Sequence, residues 1–231
     1  MMQIIEWRHF VEEGLPHNGK LTSMTVGVFD GVHLGHQALL KRIISHNADK
    51  IPVVVTFHQN HKIDSGNIKV VRKLQFLNNF LLKSQFCSLT TLKWSDCKTE
   101  RLAKEPIGVP NKPIITFKQR LDIFESLGIQ MTIVIDFTKE IKQMPGIDFL
   151  NILLKRGNVG FFAVGSDFRC GHQQDTDAEA IQKFFASHNI PAEIAPKVME
   201  ESLPISSSRI RAAIRAGDIE LAQKLLGRAY P

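Results

Sequence analysis

Apolar and polar positions follow two rhythms along the chain. Runs of consecutive apolar, often β-branched residues recur at 22–29, at 51–57 ("IPVVVTF"), at 131–137 ("MTIVIDF") and at 159–165 ("VGFFAVG"). Unbroken runs of this length predict strands buried on both faces, as in a parallel sheet. Between them the apolar residues return every three or four positions. Leu39, Leu40 and Ile43 share one face of 36–46; Leu121, Phe124 and Leu127 share one face of 116–128, where Gly128 supplies the stop. The segments 146–157 and 177–189 also read as helices, and 192–198 as a further strand. Two short helices, "SSRIRAAIRAG" and "DIELAQKLLG", close the chain. Strands alternating with helices predict an α/β fold with a doubly wound, mostly parallel sheet. Ligands of such sheets bind beyond the carboxyl ends of the strands.

The stretch 63–112 breaks the rhythm. Its "KVVRKLQFLNNFLLKSQF" fits an amphipathic helix with Leu74, Phe76, Leu77 and Leu81 as apolar positions, and 106–113 reads as loop. It is expected to be an insertion or flap on a single domain spanning 1–231. Charge sharpens this division. The formal net charge is +6, and nine Lys/Arg against four Asp/Glu place +5 of it within 63–112. Basic character confined to one segment argues against a nucleic-acid-binding surface over the whole fold. It leaves the segment free to meet an acidic partner or a second copy of the chain, so a homo-oligomer through the insertion is an open expectation.

Composition adds less. With 43% hydrophobic and 23% charged residues the chain is of ordinary globular make-up. Its three cysteines, Cys87, Cys97 and Cys170, are odd in number and lack CxxC spacing, which points to a reducing compartment. No apolar run reaches the roughly 18 residues of a membrane span, and the charged N-terminus is unlike a signal peptide. A cytoplasmic protein without a membrane partner is expected.

Three segments carry candidate chemistry. The first, "GVFDGVHLGH", lies where the first strand gives way to a helix. Glycines in such a turn let a nucleotide approach the backbone, and a helix N-terminus gathers N–H groups and positive dipole. Gly31 and Gly35 suit this role, and His33 and His36, three apart, can face one ligand on the first turn. Imidazole N–H groups donate to phosphate oxygens, and a protonated ring stabilises a leaving pyrophosphate. Two surface histidines at a helix start would read identically. A zinc site would need further ligands at suitable spacing, which the sequence does not offer, so no metal ligands are assigned. The second segment, "PISSSRIRAAIRAG", places serines at a helix start, where they cap it, and Arg209 and Arg211 in the first turn, where they oppose the dipole unless an anion binds. In the third, "AVGSDFRCG", an Asp past a strand end is followed by an aromatic residue and an arginine. That arrangement suits hydrogen bonding to a ligand ring, or an ordinary turn.

Together "GVFDGVHLGH", "VGSDFRCG" and "ISSSRIRAAIRAGDIELAQKLLGRAYP" resemble, in order and spacing, the adenylyltransferase module of bacterial flavin adenine dinucleotide synthetases. The resemblance covers 20–62 and 113–231. It implies a Rossmann-like nucleotidyltransferase fold and transfer of AMP from ATP to FMN, giving FAD and pyrophosphate. Magnesium is implied as well, held mainly through the ATP phosphates. It implies an ATP site at Gly27, Phe29, Gly31, His33, Gly35, His36, Ser206, Ser207, Ser208 and Arg209, with His33, His36 and Arg209 as the catalytic group. It implies a flavin site at Phe57, Asp167, Phe168 and Arg211. The chain departs from the family where "TFHQNHK" at 56–62 lacks both prolines of TFxPHP, and where "HQQDTD" at 172–177 replaces a basic, glycine-rich loop. Ser208 stands for the family's threonine and keeps its hydroxyl. Bifunctional members continue past "LLGRPY" into a riboflavin kinase module, so this chain is expected to make FAD from FMN without making FMN from riboflavin. The alternatives are a related nucleotidyltransferase with another phosphate acceptor, or a catalytically weak flavin- or nucleotide-binding protein.

Overall fold

The computed structural model describes residues 1–16, 19–46, 48–58 and 113–230. Strand β1 (Gln3–Glu6) runs directly into helix α1 (Trp7–Glu13); β2 (Leu21–Gly27), α2 (Leu34–Ile44) and β3 (Lys50–His58) follow. After residue 112 come α3 (Phe117–Ser126), β4 (Met131–Asp136), the short α4 (Lys139–Gln143), α5 (Gly146–Gly157) and β5 (Val159–Gly165). A two-residue ladder, β6 (Arg169–Cys170) with β7 (Thr176–Asp177), leads to α6 (Ala178–Ser187) and β8 (Ala192–Ala195). A small hairpin, β9 (Met199–Glu200) with β10 (Leu203–Pro204), precedes α7 (Ser207–Arg215) and α8 (Ile219–Leu226).

Six strands form one parallel sheet in the order β1-β4-β3-β2-β5-β8. The expected doubly wound α/β architecture is therefore present. Its cause is visible strand by strand. In β3, Val54 belongs to the core layer that also holds Leu40 of α2, Phe124 of α3, and Ile210 and Leu225 of α7 and α8. Its neighbours Val53 and Val55 point the other way, toward Phe10 of α1, Leu150 of α5 and Phe185 of α6. In β5 the same alternation sends Phe161 and Ala163 to the first layer and Phe162 and Val164 to the second. A period of two in strands that are apolar at every position yields two cores, one on each face.

The elements differ from expectation at their ends. The apolar run 22–29 stops being strand at Gly27, because Phe29 turns left-handed at φ +53°. Helix α2 begins at Leu34 rather than 36, with His33 as its N-cap, and β8 stops at Ala195 rather than 198. Asp177 caps α6 instead of opening it. Arg211 lies beyond the first turn of α7. Helix α3 is closed at its start by a capping box between Thr116 and Gln119. The expectations for 63–112 (helix, flap, oligomer contact) fall outside the described residues. Among the described residues no helix is long and apolar enough to cross a membrane.

The chain moves from β2 outward through β3 and then returns to the other side of β2 with β5. The crevice beyond the carboxyl ends of β2, β3 and β5 lies at this change of direction, the place where open α/β sheets bind ligands.

Candidate functional site

Residues 28–33 leave the end of β2 and enter α2. Phe29 (φ +53°), Gly31 (φ +80°) and Val32 (φ +37°) are left-handed. For Phe29 and Val32 this costs on the order of 1–3 kcal/mol each, a cost that tends to concentrate at functional sites. The turn delivers His33 to the N-cap, where its Nδ1 accepts the backbone N–H of His36 at 3.3 Å. The two rings stack with centroids 3.6 Å apart and planes 16° from parallel. Gly35 permits this stack: a Cβ there would lie 3.2 Å from the His33 ring.

His33 is buried at 6% exposure, and the alternative of two surface histidines is set aside. Burial pulls the His33 pKa down to about 4, against an opposing pull from Asp167 and with help from Arg228. His36 is pushed well below the usual histidine value by burial, then by His33 and Arg120. Both shifts favour the neutral rings at pH 7. Since Nδ1 of His33 is an acceptor, its proton belongs on Nε2, leaving a donor for a ligand. Nδ1 of His36 is buried without a hydrogen-bond partner among the described residues.

Asp30 anchors the turn. Its carboxylate pairs with Arg211 of α7 and accepts the Ile114 N–H at 3.0 Å, and its carbonyl accepts the Ser207 hydroxyl at 2.9 Å. Arg211 is thus tied to the base of the histidine turn. Ser206 caps α7 by accepting the Arg209 N–H, and Ser208 is exposed. The Arg209 guanidinium donates to Glu200 O at 2.9 Å and Leu203 O at 3.2 Å, which seats it on the β9–β10 hairpin. The Phe29 side chain is in the core, edge-on to Phe124, so only its backbone can meet a ligand.

Sequence reasoning missed Arg120. It is 6% exposed, donates to Phe57 O at 3.0 Å and Thr56 Oγ1 at 3.4 Å, and its Nε has no partner among the described residues. In the sequence it is one charge among several on an amphipathic helix. Only its place against the end of β3 singles it out.

A cleft of about 390 Å³ opens beside the turn, within the size range of small-molecule sites. Phe57, Phe137, Phe149 and Phe168 line it together with Met144 and Ile141, and Arg169, Lys142, Gln173 and Gln174 supply polar groups. Of the four expected flavin residues, Phe57 and Phe168 are here. Asp167 is exposed, paired with Lys197 at 3.6 Å, and its charge is felt by His33. The "HQQDTD" segment forms one wall of the cleft. Its Asp175 accepts the Gly146 N–H at the start of α5, and His172 N–H donates to Met144 O. Val28 belongs to both regions: it lines the cleft and opens the histidine turn. Among the described residues no group of three or more His, Cys, Asp or Glu side chains is arranged to hold a metal ion.

A family model with the description FAD synthetase matches residues 15–80 and 98–209. A bifunctional riboflavin kinase/FMN adenylyltransferase of Buchnera aphidicola subsp. Schizaphis graminum is 26% identical over 213 residues, taking in 90% of this chain and 55% of that protein. An FAD synthetase of Listeria monocytogenes is 24% identical over 208 residues, 90% of this chain and 69% of that one. The chain spans little more than half the length of the first of these relatives. A crystal structure of a macrolide-efflux protein from Streptococcus pneumoniae superposes with a TM-score of 0.69 at 22% identity, covering 100% of this chain and 72% of that chain. That likeness is one of fold.

Proposed function

The chain belongs to the FAD synthetase family, and on that footing we propose that it transfers AMP from ATP to FMN, giving FAD and pyrophosphate. The observation that carries this reading is the junction at Val28, where an aromatic cleft and a helix N-terminus bearing two imidazoles share one loop. The cleft suits a flat ring system, held by stacking against Phe57 and Phe168. The helix start suits a triphosphate.

An FMN phosphate oxygen is already a competent nucleophile, so no base is needed to activate it. It attacks the α-phosphorus of ATP, the bond from that phosphorus to the bridging oxygen breaks, and pyrophosphate leaves with the electron pair. Catalysis then consists of alignment and stabilisation of charge. His33 Nε2–H and the His36 ring donate to the triphosphate, aided by the α2 dipole. Arg209 is assigned to the β- and γ-phosphates. To reach them it exchanges the neutral carbonyls of Glu200 and Leu203 for charged oxygens, the stronger partners. Asp167 orients the flavin-side phosphate region from the end of β5. Magnesium fits this donor set only if phosphate oxygens hold it, since Asp30 is committed to Arg211 and Ile114. It would supply further charge neutralisation. These substrates fit a cytoplasmic setting.

Incubation with FMN, ATP and magnesium tests the reading, with FAD and pyrophosphate measured together. Equimolar FAD and pyrophosphate are expected. Pyrophosphate formed only with another phosphate acceptor would replace FMN in the assignment, and flavin binding without turnover would reduce the protein to a carrier.

A further inference from the structure

The turn that carries the histidines is held from outside its own segment. A left-handed β-branched residue such as Val32 persists only where its surroundings impose it. The restraints gather on the carbonyls of that turn. Arg228, two residues past α8, donates from Nη1 to Val32 O at 3.0 Å and from Nη2 to Gly31 O. Nη1 also reaches Leu226 O at 3.3 Å. Gln37 of α2 donates to Val32 O and Leu226 O, each at 2.9 Å, so the turn and the end of α8 are bridged twice. Gly227, left-handed at φ +68°, reverses the chain so that Arg228 returns over the turn. A guanidinium fork presents two separated nitrogens in one fixed plane to two successive carbonyls; an ammonium offers its donors from a single nitrogen on a flexible stem.

We propose that Arg228 is a positioning residue of the nucleotide seat: bridging Gly31 O and Val32 O, it holds the 29–33 turn in the conformation that stacks His33 on His36. The inference rests on reading that turn as a triphosphate seat. Arg228 acts on the His33 ring by charge as well as by placement. The charged and titratable groups that face His33 are Asp167 after β5, itself paired with Lys197, Arg228 after α8, and the stacked His36. Burial and the Arg228 charge both favour the neutral ring, and both weaken when the fork is removed.

The test compares Arg228→Gln and Arg228→Lys with the parent protein, using AMP transfer to FMN, imidazole titration by NMR, and thermal unfolding. Folded R228Q is expected to lose about tenfold or more in kcat/KM for ATP, as misplaced catalytic groups do, with the KM for FMN unchanged. Added guanidinium restores part of the loss, whereas lysine at 228 restores little. His33 titrates at higher pH in R228Q than in the parent. Should R228Q fail to fold, Gln37→Met removes the neighbouring bridge and shows the same changes in smaller degree. Parental kcat/KM for ATP and a parental His33 titration in a folded variant would overturn the proposal. A parent that transfers no AMP to FMN would overturn the proposed function instead, and the His33 titration would then decide this inference alone.

Discussion

His33 and His36 stack face to face, and the first accepts the backbone N–H of the second. One contact therefore caps the helix, fixes the tautomer of His33, and places two imidazoles side by side where the helix dipole is positive. Burial first, and then the neighbouring ring, hold His36 toward its neutral form.

Replacing His36 by alanine is expected to reduce FAD formation by on the order of a hundredfold or more, the usual loss for one preorganised donor at a developing charge. Steady-state kinetics on a variant shown to be folded by circular dichroism checks this. Parental turnover in that variant would remove His36 from the catalytic group.

Stability should fall in mild acid. The folded chain holds His33 near a pKa of about 4, against 6.5 for a free ring. Between these values the unfolded chain binds a proton that the folded chain refuses. The stabilisation is whole above pH 6.5 and is lost as the pH falls toward 4, by up to about 3 kcal/mol from this group. Melting temperatures across pH 4 to 7 should decline on the acid side, and His33→Gln should flatten that slope.

Binding of ATP should take up protons near pH 6. A triphosphate beside two neutral imidazoles raises their proton affinity, the opposite of what burial does. Calorimetry in two buffers of different ionisation enthalpy reads the uptake directly. Equal heats in both buffers would mean that the phosphates do not lie against these rings.

Shortening Phe168 to alanine should raise the KM for FMN by about tenfold, since burial of an aromatic side chain contributes roughly 1.5–3 kcal/mol. The KM for ATP should stay put. An equal rise for both substrates would show that the cleft and the histidine turn are not separate subsites.

Alanine at Arg209 should weaken ATP use while leaving FMN affinity intact, because alanine keeps the helix and only the guanidinium is lost. The carbonyls of Glu200 and Leu203 also lose their donor. Amide exchange in the 199–204 hairpin should therefore quicken. Lost FMN affinity with intact ATP affinity would reverse the placement of the two substrates.

The sheet was legible because strands such as 51–57 are apolar at every position and helices such as 36–46 are apolar on one face. Helix α1 and strand β1 were not. "QIIE" is four residues long with both ends exposed, and α1 has no side-chain cap to announce it. The histidine turn was readable because its glycines and histidines are close in sequence. The cleft was only half readable. Phe57 and Phe168 belong to motifs, but Phe137, Met144 and Phe149 come from ordinary-looking segments that the fold alone gathers. Arg120 and Arg228 share that fate: their meaning lies in backbone carbonyls far away in sequence, which no local pattern records.

The position of β1 at the rim of the sheet sets an order of assembly. Among the described residues it pairs only with β4, while β2 and β3 pair with each other across a single short helix. During synthesis β2 and β3 can close as a local unit, but β1 must wait, unpaired, until everything up to β4 has emerged. A four-residue strand ending in Glu6 offers other chains little edge to pair with during that wait.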